Sequence, residues 1–400
     1  MDLERYASTP FGQARRTVGS HGYVAYFPSP APRALELPPS TLRLLGEAEA
    51  SLGRLSGVGQ LVANPNLLIR PYLLREALSS TRIEGTQATM VEVFEMDAAG
   101  DAPNADVEEV LNYVEALEWG LSRLEQLPLG TRLLREMHRR LMAGVRGRER
   151  APGEFRTTQN WIGAPGSTIE TAQFVPPPPR ELPALLTEWE RFANEDARLP
   201  LLIQNALLHS QFETIHPFLD GNGRLGRLVL VFFLVARRRL TVPLLYLSAY
   251  LEGDRQRYYD SLRTIQERGD PVPWIELFLT GVESQASDAV IRAQRIVELR
   301  ERYQHEAAAL GTANGLGLVE LICENPLVTT RLVEERLGVS RPTAIRLLRK
   351  LEDRGVLSEG ERGTRGQRRY VAREMMAAVA GEGATPQRPS NSYATPVTVA

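Results

Sequence analysis

The sequence predicts a mainly α-helical protein with more than one domain, and three observations support this. Segments such as TLRLLGEAEASLGRL (41–55) carry apolar residues at spacings of three and four, the period of an amphipathic helix. Comparable patterns recur along most of the chain, and residues 151–180 are the main departure from them. At 400 residues the chain exceeds what one hydrophobic core usually supports, so two or three domains are expected.

The composition is that of an ordinary soluble globular protein, with 43% hydrophobic and 24% charged residues. A net charge of −2 predicts no overall attraction to nucleic acid or to an anionic membrane. The single cysteine, Cys323, cannot form an intramolecular disulfide or a multi-cysteine zinc site. We find no apolar signal region at the N-terminus and no run long enough to cross a bilayer. These features predict a cytoplasmic protein without a membrane partner.

The lysine content restricts the kinds of nucleotide site that the chain can build. Lys350 is the only lysine. A Walker A loop and a protein kinase each need a lysine against the phosphates, and the RLLRKLEDRG context of Lys350 fits neither. Nucleotide chemistry in this chain would therefore rely on arginines, backbone amides and a metal ion.

The pattern along the chain predicts a definite order of elements. Residues 1–39, rich in Pro, Gly and aromatic residues, are expected to form an irregular arm. Residues 151–180 surround a Gly-Ala-Pro-Gly-Ser centre with Thr, Trp, Ile, Phe and Val, which predicts a β-hairpin or an ordered loop that four prolines then end. Helices are expected at 41–55, 66–85, 107–126, 129–143, 181–194, 201–214, 223–238, 254–268 and 272–310.

A second unit is expected at residues 314–374. Its pattern is helix, helix, turn, helix and a short strand, with Ser340 as an N-cap and Gly355 after a helix end. This resembles the winged helix-turn-helix family over about sixty residues. Residues 331–373 hold twelve Arg/Lys against six Asp/Glu, which favours contact with nucleic acid, while a protein-interaction or dimerisation module stays equally open. Residues 381–400 are expected to be disordered.

The stretch IHPFLDGNGRLGR (215–227) concentrates chemically active residues. It contains G-x-G-x-x-G, but helical surroundings argue against a dinucleotide fold, in which that motif follows a strand. An EF-hand fails because its fifth and sixth positions would be Arg224 and Leu225. A zinc site on His209 and His216 lacks further ligands nearby. The stretch could instead be only a polar connection between two helices.

Taken residue by residue, the stretch favours phosphate chemistry. Glycines after Pro217 allow successive backbone N–H groups to face one anion at a helix N-terminus. Asn222 could donate an amide N–H to a phosphate, and Arg224 and Arg227 could give forked hydrogen bonds. Asp220 is a suitable oxygen ligand for Mg²⁺, and a histidine such as His216 can act as a general base.

HPFLDGNGRLGR also resembles the Fic signature, H-P-F-x-[DE]-G-N-[GK]-R-x-x-R, at every specified position. Fic proteins are mostly helical enzymes that typically transfer AMP from ATP to a hydroxyl of a target protein. The resemblance implies that His216 deprotonates the attacking Ser, Thr or Tyr, and that Asp220 holds Mg²⁺ or Mn²⁺ between the α- and β-phosphates. It implies that the nucleotide is bound by Leu219, Asp220, Gly221, Asn222, Gly223, Arg224, Leu225 and Arg227.

Two further stretches resemble Fic segments. PGEFRTTQNWIGAPGSTIETAQFVPPPP resembles the part that contains a β-hairpin flap, which docks the target by strand pairing. Arg156 in it would be structural or border the site, and the docking residues would be Ile162, Gly163 and Thr168. YLEGDRQRYYDSL resembles the part that closes over the nucleoside. Gln256, Tyr258 and Tyr259 could flank the base there, although a tyrosine pair on a helix is more often core packing.

A short motif near residue 80 bears on regulation. Ser80-Thr81-Arg82-Ile83-Glu84-Gly85 fits the Fic inhibitory pattern, [ST]-x-x-x-E-[GN]. On its own it is a helix end capped by Gly85. Beside a complete Fic motif it implies autoinhibition, in which Glu84 pairs with Arg227 and removes that arginine from the γ-phosphate of ATP.

The sequence thus predicts an autoinhibited Fic-type adenylyltransferase with a C-terminal winged helix. The expected parts are a helical region with the inhibitory helix (40–128), a catalytic core (129–290), a helical linker (291–313) and the winged helix. Three alternatives stay open: a de-AMPylase of the same fold, a nucleotide-sensing transcription regulator, and a different donor such as CDP-choline or UTP. The target protein is unspecified and could be the chain itself, and DNA and a second copy of the chain are left open as further partners.

Overall fold

A computed structural model describes residues 1–6, 8–18, 22–61, 66–99, 104–144, 149–196, 198–361 and 367–380. Over these ranges the chain is mainly helical with two small sheets, so the predicted fold class is confirmed at that level. The tail at 381–400, predicted to be disordered, lies outside the described residues. Within the described ranges, no helix is both long and apolar enough to span a membrane.

Five helices follow the N-terminal arm in the described part of the chain. The helices are α1 (Pro39–Leu61), α2 (Asn66–Ile83), α3 (Met90–Ala99), α4 (Ala105–Arg123) and α5 (Thr131–Leu141). Asn104 caps α4 by accepting the Val107 N–H at 2.8 Å. Helix α2 contacts α4, α8 and α9, and Ser80 and Thr81 near its end are buried.

Six more helices follow among the described residues, and the buried core contains residues from both groups of helices. After a 3₁₀ turn (Pro179–Glu181) come α6 (Leu182–Asn194), α7 (Leu201–Ile215), α8 (Asn222–Ala236), α9 (Ser248–Gly253), α10 (Arg255–Arg268) and α11 (Val272–Ala308). Nearly every residue of α7 and α8 is buried, as expected for helices surrounded by other helices. The boundary expected at residue 290 falls inside the continuous helix α11.

The expectation of an irregular arm at residues 1–39 is wrong. Strands β1 (Gly12–Arg16) and β2 (Val24–Pro28) pair antiparallel there. The arm packs on the segment after residue 170: the Tyr6 hydroxyl, before β1, donates to the Gln173 carbonyl at 2.9 Å, and the Tyr26 N–H in β2 donates to the Val175 carbonyl at 2.9 Å. The Pro and Gly content of the arm favoured irregular structure, but β2 (VAYFP) contains Val, Tyr and Phe, residue types that suit a strand.

The β-hairpin expected at residues 151–180 is wrong in its regular form. Only one bridge is present in that segment, in which Ile162 and Phe174 exchange N–H···O=C bonds of 2.8 and 3.0 Å. The Trp161 indole N–H closes the turn by donating to the Ser167 carbonyl at 3.0 Å. Proline and glycine at the turn and the four prolines after Val175 limit ladder pairing, so the segment is an ordered loop with one bridge.

The C-terminal part contains four helices and a small three-stranded sheet among the described residues. Its elements are α12 (Ala313–Glu324), β3 (Leu327–Thr329), α13 (Thr330–Leu337), α14 (Arg341–Asp353), β4 (Ser358–Glu359), β5 (Arg369–Val371) and α15 (Arg373–Ala380). The strands are antiparallel in the order β3-β5-β4. Gly338, with φ +64°, ends α13. The Thr329 hydroxyl donates to the Ala98 carbonyl at 2.8 Å, which joins this part to α3.

Candidate functional site

The motif 215–227 forms the junction between α7 and α8. His216, with φ +48°, ends α7 in the left-handed region, and Pro217 follows it. Phe218 is fully buried, with its ring stacked on that of His138 at a centroid distance of 3.8 Å. Gly221, with φ +74°, precedes the first turn of α8. A Cβ at Gly221 would lie 2.9 Å from the Met142 sulfur, so this turn requires glycine.

The Asn222 side chain shapes this loop. Its Oδ1 accepts the Phe218 N–H at 2.9 Å, and its Nδ2 donates to the Phe218 carbonyl at 2.8 Å. One of the two amide N–H donors of Asn222 is therefore engaged within the loop, and the expected contact of this amide with a phosphate stays a prediction. Asn160 donates to the same Phe218 carbonyl at 2.9 Å.

Arg156 fixes the backbone on the other side of the loop. Its Nε donates to the His216 carbonyl at 2.9 Å and its Nη2 to the Pro177 carbonyl at 2.6 Å. Its N–H donates to the Pro217 carbonyl at 2.9 Å. Burial lowers the pKa of Arg156 to about 10, which leaves the guanidinium charged at neutral pH. Of the two roles expected for Arg156, these contacts favour the structural one.

His138 also supports the loop, through a hydrogen bond to its backbone. The sequence analysis did not identify this residue. Its Nδ1 accepts the Gly153 N–H at 2.8 Å, so the proton of the neutral ring lies on Nε2, which donates to the Asp220 carbonyl at 3.0 Å. Burial lowers the pKa of His138 to about 4, so the ring stays neutral in this role. The contact spans 82 positions, and no local pattern in the sequence signals it.

His216 has the protonation state that a general base needs. Its Nδ1 lies 3.3 Å from the Glu213 carbonyl, an oxygen that can only accept, so Nδ1 carries the proton and Nε2 keeps its lone pair. Burial, followed by the nearby Arg156 charge, lowers the pKa of His216 to about 4. The ring is therefore neutral at physiological pH and able to accept a proton.

Asp220 and Arg224 lie together at the start of α8. The Asp220 side chain is 42% exposed, and its Oδ1 is 3.7 Å from Nη2 of the buried Arg224. On the other side, Arg224 Nη1 lies 3.7 Å from the Glu109 carboxylate. Nε and Nη1 of Arg224 have no hydrogen-bond partner among the described residues. A buried guanidinium with unused N–H groups is poised for an anionic ligand such as a phosphate.

Arg227, one turn further along α8, is held by the end of α2. Its Nε donates to the Ser80 hydroxyl at 2.9 Å, and its Nη2 donates to the Ser80 carbonyl at 2.8 Å and to Glu84 Oε1 at 2.7 Å. Gly85, with φ +102°, is the second residue after α2 and directly follows Glu84. A Cβ at Gly223 would lie 2.6 Å from Glu84 Oε1, so a glycine at that position makes room for the carboxylate.

The electrostatics of this contact favour a charged pair. Burial alone would raise the pKa of Glu84, but Arg227 and then Arg224 outweigh it and hold that pKa below its ordinary value. The Glu84 carboxylate stabilises the charged Arg227 and raises its pKa despite burial. The pair is therefore ionised at neutral pH.

Glu213 is a second acidic residue here that the sequence analysis did not single out. Its Oε1 is buried and has no hydrogen-bond partner among the described residues. Burial raises the pKa of Glu213 to about 7, with Arg227 opposing the rise. A carboxyl one turn before His216 therefore titrates near neutral pH.

The three residues expected near the base all lie on α10 but differ in their surroundings. Tyr258 is buried, and its hydroxyl donates to His209 Nε2 at 2.9 Å, since His209 Nδ1 donates to the Gly226 carbonyl at 2.9 Å. Tyr258 is therefore core packing, and its expected contact with the base is wrong. Tyr259 is 43% exposed, while Gln256 donates to Asp260 on its own helix at 2.9 Å.

The other residues expected to bind the nucleotide or to dock the target differ in their exposure. Leu219 is half-buried in the loop, and Leu225 is buried in the first turn of α8. In the flap segment Ile162 and Gly163 are half-buried, whereas Thr168 is exposed and donates to Glu170 at 2.7 Å. Their roles in binding nucleotide or target stay predictions.

Asp220 is the residue at this site that could hold a divalent metal ion. No group of three or more His, Cys, Asp or Glu residues that could enclose a metal ion occurs in the part of the chain that the structure describes. Mg²⁺ commonly takes one or two carboxylates together with substrate phosphates and water. A single half-exposed carboxylate beside unpartnered arginine N–H groups fits an ion that arrives with the nucleotide.

Comparisons with known proteins agree with this geometry. Residues 42–122 match the family model described as Fic/DOC family N-terminal, and residues 128–234 match the one described as Fic/DOC family. The chain therefore carries a Fic N-terminal domain followed by a Fic domain, as the resemblance implied.

The chain is also similar to curated proteins named protein adenylyltransferase Fic. The protein from Drosophila grimshawi is 31% identical over 203 residues, which is 49% of this chain and 38% of the relative. The protein from Drosophila willistoni is 28% identical over 240 residues, 58% of this chain and 45% of the relative. The chain thus spans less than half the length of these relatives.

A solved structure supports the fold. A Fic family protein from Desulfovibrio desulfuricans G20 aligns with a TM-score of 0.56 over 86% of this chain and 98% of that chain. The two are 21% identical, so this likeness concerns the fold alone.

Proposed function

We propose that the protein transfers AMP from ATP to a Ser, Thr or Tyr hydroxyl of a target protein, and that Glu84 restrains the transfer by holding Arg227. The observation that carries this proposal is the hydrogen bonding of Arg227 to Ser80 and Glu84, one turn of helix from an arginine with free N–H groups. The adenylyltransferase relatives support AMP as the transferred group.

His216 acts as the base in this reaction. The target hydroxyl gives its proton to His216 Nε2 while its oxygen forms a bond to the α-phosphorus of ATP. The bond from that phosphorus to the bridging oxygen breaks, and pyrophosphate leaves with the electron pair. The Glu213 carbonyl and the Arg156 clamp hold the ring and its backbone in place, so the lone pair keeps a fixed direction.

The start of α8 binds the phosphates. No side chain caps this helix, so its first N–H groups and its positive dipole end are available to an anion. The unused N–H groups of Arg224 add forked hydrogen bonds from one side. Mg²⁺ or Mn²⁺ bound with the nucleotide at Asp220 would supply charge neutralisation between the phosphates.

Glu84 restrains AMP transfer because it competes with the γ-phosphate of ATP for the Arg227 guanidinium group. Three of the five N–H donors of Arg227 are engaged with Ser80 and Glu84, and Nη1 has no partner among the described residues. A γ-phosphate that used the same donors would have to displace the Glu84 carboxylate. With Glu84 in place, ATP binds with its γ-phosphate turned away, and the α-phosphorus is not aligned with the hydroxyl.

The test compares wild type with Glu84→Gly, using ATP labelled at the α-phosphate, both alone and in cell lysate. We expect a large gain of label on the protein itself or on lysate proteins, since Arg227 is released. Glu125→Gly, in an exposed turn, is the matched control and should label as wild type does. ATP labelled at the γ-phosphate should give no label.

Two outcomes would contradict the proposal. Equal labelling by Glu84→Gly and wild type would show that Glu84 restrains nothing. Release of AMP from a pre-loaded target that disappears in Glu84→Gly would support the reverse reaction. Replacing ATP with UTP or CDP-choline in the same assay identifies the donor. This comparison is needed because the residues that bind the phosphates do not distinguish one base from another.

A further inference from the structure

Helix α3 is short and begins a few residues after the inhibitory motif. It has ten residues, fewer than an isolated helix needs for stability in water, so its contacts with other elements must hold it in place. Only residues 85–89 separate Glu84 from Met90, the first residue of α3. The position of α3 therefore limits where the Glu84 carboxylate can lie.

The segment between α2 and α3 is joined to both helices by hydrogen bonds. The N–H groups of Glu84 and Thr86 donate to the Thr81 carbonyl at 3.0 and 3.2 Å. At the start of α3, the Thr89 N–H donates to the Glu92 carboxylate at 2.7 Å, and the Glu92 N–H donates to the Thr89 hydroxyl at 3.2 Å. This reciprocal pair is a capping box, which fixes the chain where it enters the helix. A displacement of α3 is therefore expected to displace Glu84 as well.

The C-terminal unit, which comprises α12 to α15 and the sheet of β3, β4 and β5, holds the other end of α3. The Thr329 hydroxyl donates to the Ala98 carbonyl at 2.8 Å. Asn325 Nδ2 donates to the Phe94 carbonyl at 3.2 Å and to Asp97 Oδ2 at 3.0 Å. Both donor residues are buried. The last carbonyls of a helix have no partner within it, so the Thr329 hydroxyl completes the hydrogen bonding at the end of α3.

An ion pair adds an electrostatic contact at the same interface. Arg369 of β5 pairs with Glu95 of α3 at 2.5 Å, and the two side chains are 10% and 31% exposed. Salt screens such a partly buried pair less than an exposed one. Helices α12 and α15 of the unit contact α2 as well. The unit therefore contacts the helices on both sides of Glu84.

We propose that the C-terminal unit is part of the autoinhibition: it holds α3 in place and thereby keeps the Glu84 carboxylate on Arg227. This inference rests on the proposed function, in which Glu84 restrains AMP transfer. Loss of the contacts to α3 loosens α3 and residues 85–89, so conformations in which Glu84 has left Arg227 become more populated. Arg227 is then available to the γ-phosphate of ATP. Neither Glu95 nor Arg369 is among the residues that would bind the nucleotide, so their effect on transfer passes through Glu84.

The test reverses one charge at the interface in the full chain. Glu95→Arg places a second guanidinium against Arg369, and Glu95→Arg/Arg369→Glu restores an ion pair with the charges exchanged. The matched control is Glu359→Arg, which breaks the pair of Glu359 with Arg368 on β4, the strand separated from β3 by β5. AMP transfer is measured with ATP labelled at the α-phosphate.

We expect Glu95→Arg to raise AMP transfer at least about fivefold, since coupling between sites is typically of this size or larger. The exchanged pair should return transfer to within about twofold of wild type, and the control should match wild type. In a Glu84→Gly background, Glu95→Arg should add nothing, because Arg227 is already released. A further gain in that background would overturn the proposal. So would an equal gain from Glu359→Arg, or no gain from Glu95→Arg in a protein that responds to Glu84→Gly.

Amide hydrogen exchange separates this proposal from the proposed activity, because it follows the order of residues 81–99 without any transfer. We expect Glu95→Arg to speed exchange there by at least about fivefold and the control to leave it unchanged. Unchanged exchange in Glu95→Arg would overturn the proposal. If exchange rises but neither Glu95→Arg nor Glu84→Gly gains transfer, the unit still holds the segment and the proposed function is wrong.

A second variant avoids the charge reversal. Asn325→Asp is nearly isosteric and keeps the oxygen that accepts the Leu327 N–H at 2.9 Å. It replaces the donor to Phe94 and Asp97 with a second carboxylate oxygen. Transfer and exchange should rise as they do in Glu95→Arg, and no change in either would also overturn the proposal. Circular dichroism checks that each variant is folded.

Discussion

The arginines of α8 and the cations of α14 both lie along one face of a helix, but their surroundings are opposite. Arg224 and Arg227 are buried beside carboxylates and a serine, and some of their N–H groups have no partner among the described residues. The four α14 cations are exposed, and no ion pair to them occurs in the described ranges: Arg341, Arg346, Arg349 and Lys350. One region presents fixed donors to one anion, and the other presents a charged surface to solvent.

Whether the charges are buried or exposed determines how each region can be controlled. A buried guanidinium must be satisfied inside the protein, so a single carboxylate such as Glu84 can compete with a substrate for it. Water and salt screen exposed charges, so no single carboxylate controls α14 and ionic strength does.

The largest effect concerns the base beside the buried arginines. In a Glu84→Gly background, we expect His216→Ala to lower AMP transfer by about 10² to 10⁴-fold, since no other positioned group accepts the hydroxyl proton. ATP binding by calorimetry should persist, because the α8 N-terminus and Arg224 are unchanged. If transfer is retained, His216 is not the base. The buried region would then only bind the nucleotide.

Sequence alone predicted the parts of the site that lie within short motifs. His216, Asp220, Arg224 and Arg227 fall within twelve positions, and the six residues ending at Gly85 supplied the expected partner of Arg227. The structure places Glu84 2.7 Å from that arginine. The residues of one turn and one helix end are close together in the sequence, so they can be recognised as short motifs.

The parts that depend on long-range packing could not be predicted. His138 reaches Asp220 across 82 positions, and Asn222 uses its amide on the loop although the same amide suits a phosphate. In the arm, the pairing of β1 with β2 depends on aromatic packing against the segment after residue 170, which composition does not show. Residue type limits what a side chain can bind, and its neighbours in space decide which partner it takes.

The second effect is the acid sensitivity of the buried region. Burial lowers the pKa of His209 to about 3, so the unfolded chain takes up a proton below about pH 6.5 while the folded protein does not. The stability from the neutral ring is therefore complete above pH 6.5 and is lost as the pH falls toward 3. His209→Gln removes this term and can retain both hydrogen bonds.

The measurement is the free energy of unfolding of wild type and His209→Gln, by urea titration at pH 7 and pH 5. We expect the difference between them to shift by about 2 kcal/mol in favour of the variant at pH 5. Carboxyls that titrate in this range, including Glu213, largely cancel in the difference. Residues 313–380 contain no histidine, so the α14 region lacks this response. A constant difference would show that His209 is charged in the folded protein.

The smallest effect separates the two partners of Arg227. Ser80→Ala removes the hydroxyl that accepts from Nε, but it leaves the Ser80 carbonyl and the Glu84 carboxylate in place. Loss of one such hydrogen bond is worth about 1 kcal/mol, so basal AMP transfer should rise roughly fivefold, well below the gain from Glu84→Gly. Ser79→Ala on the same turn is the control and should leave transfer unchanged. A gain equal to that of Glu84→Gly would mean that the serine, and not the buried carboxylate, keeps Arg227 from ATP.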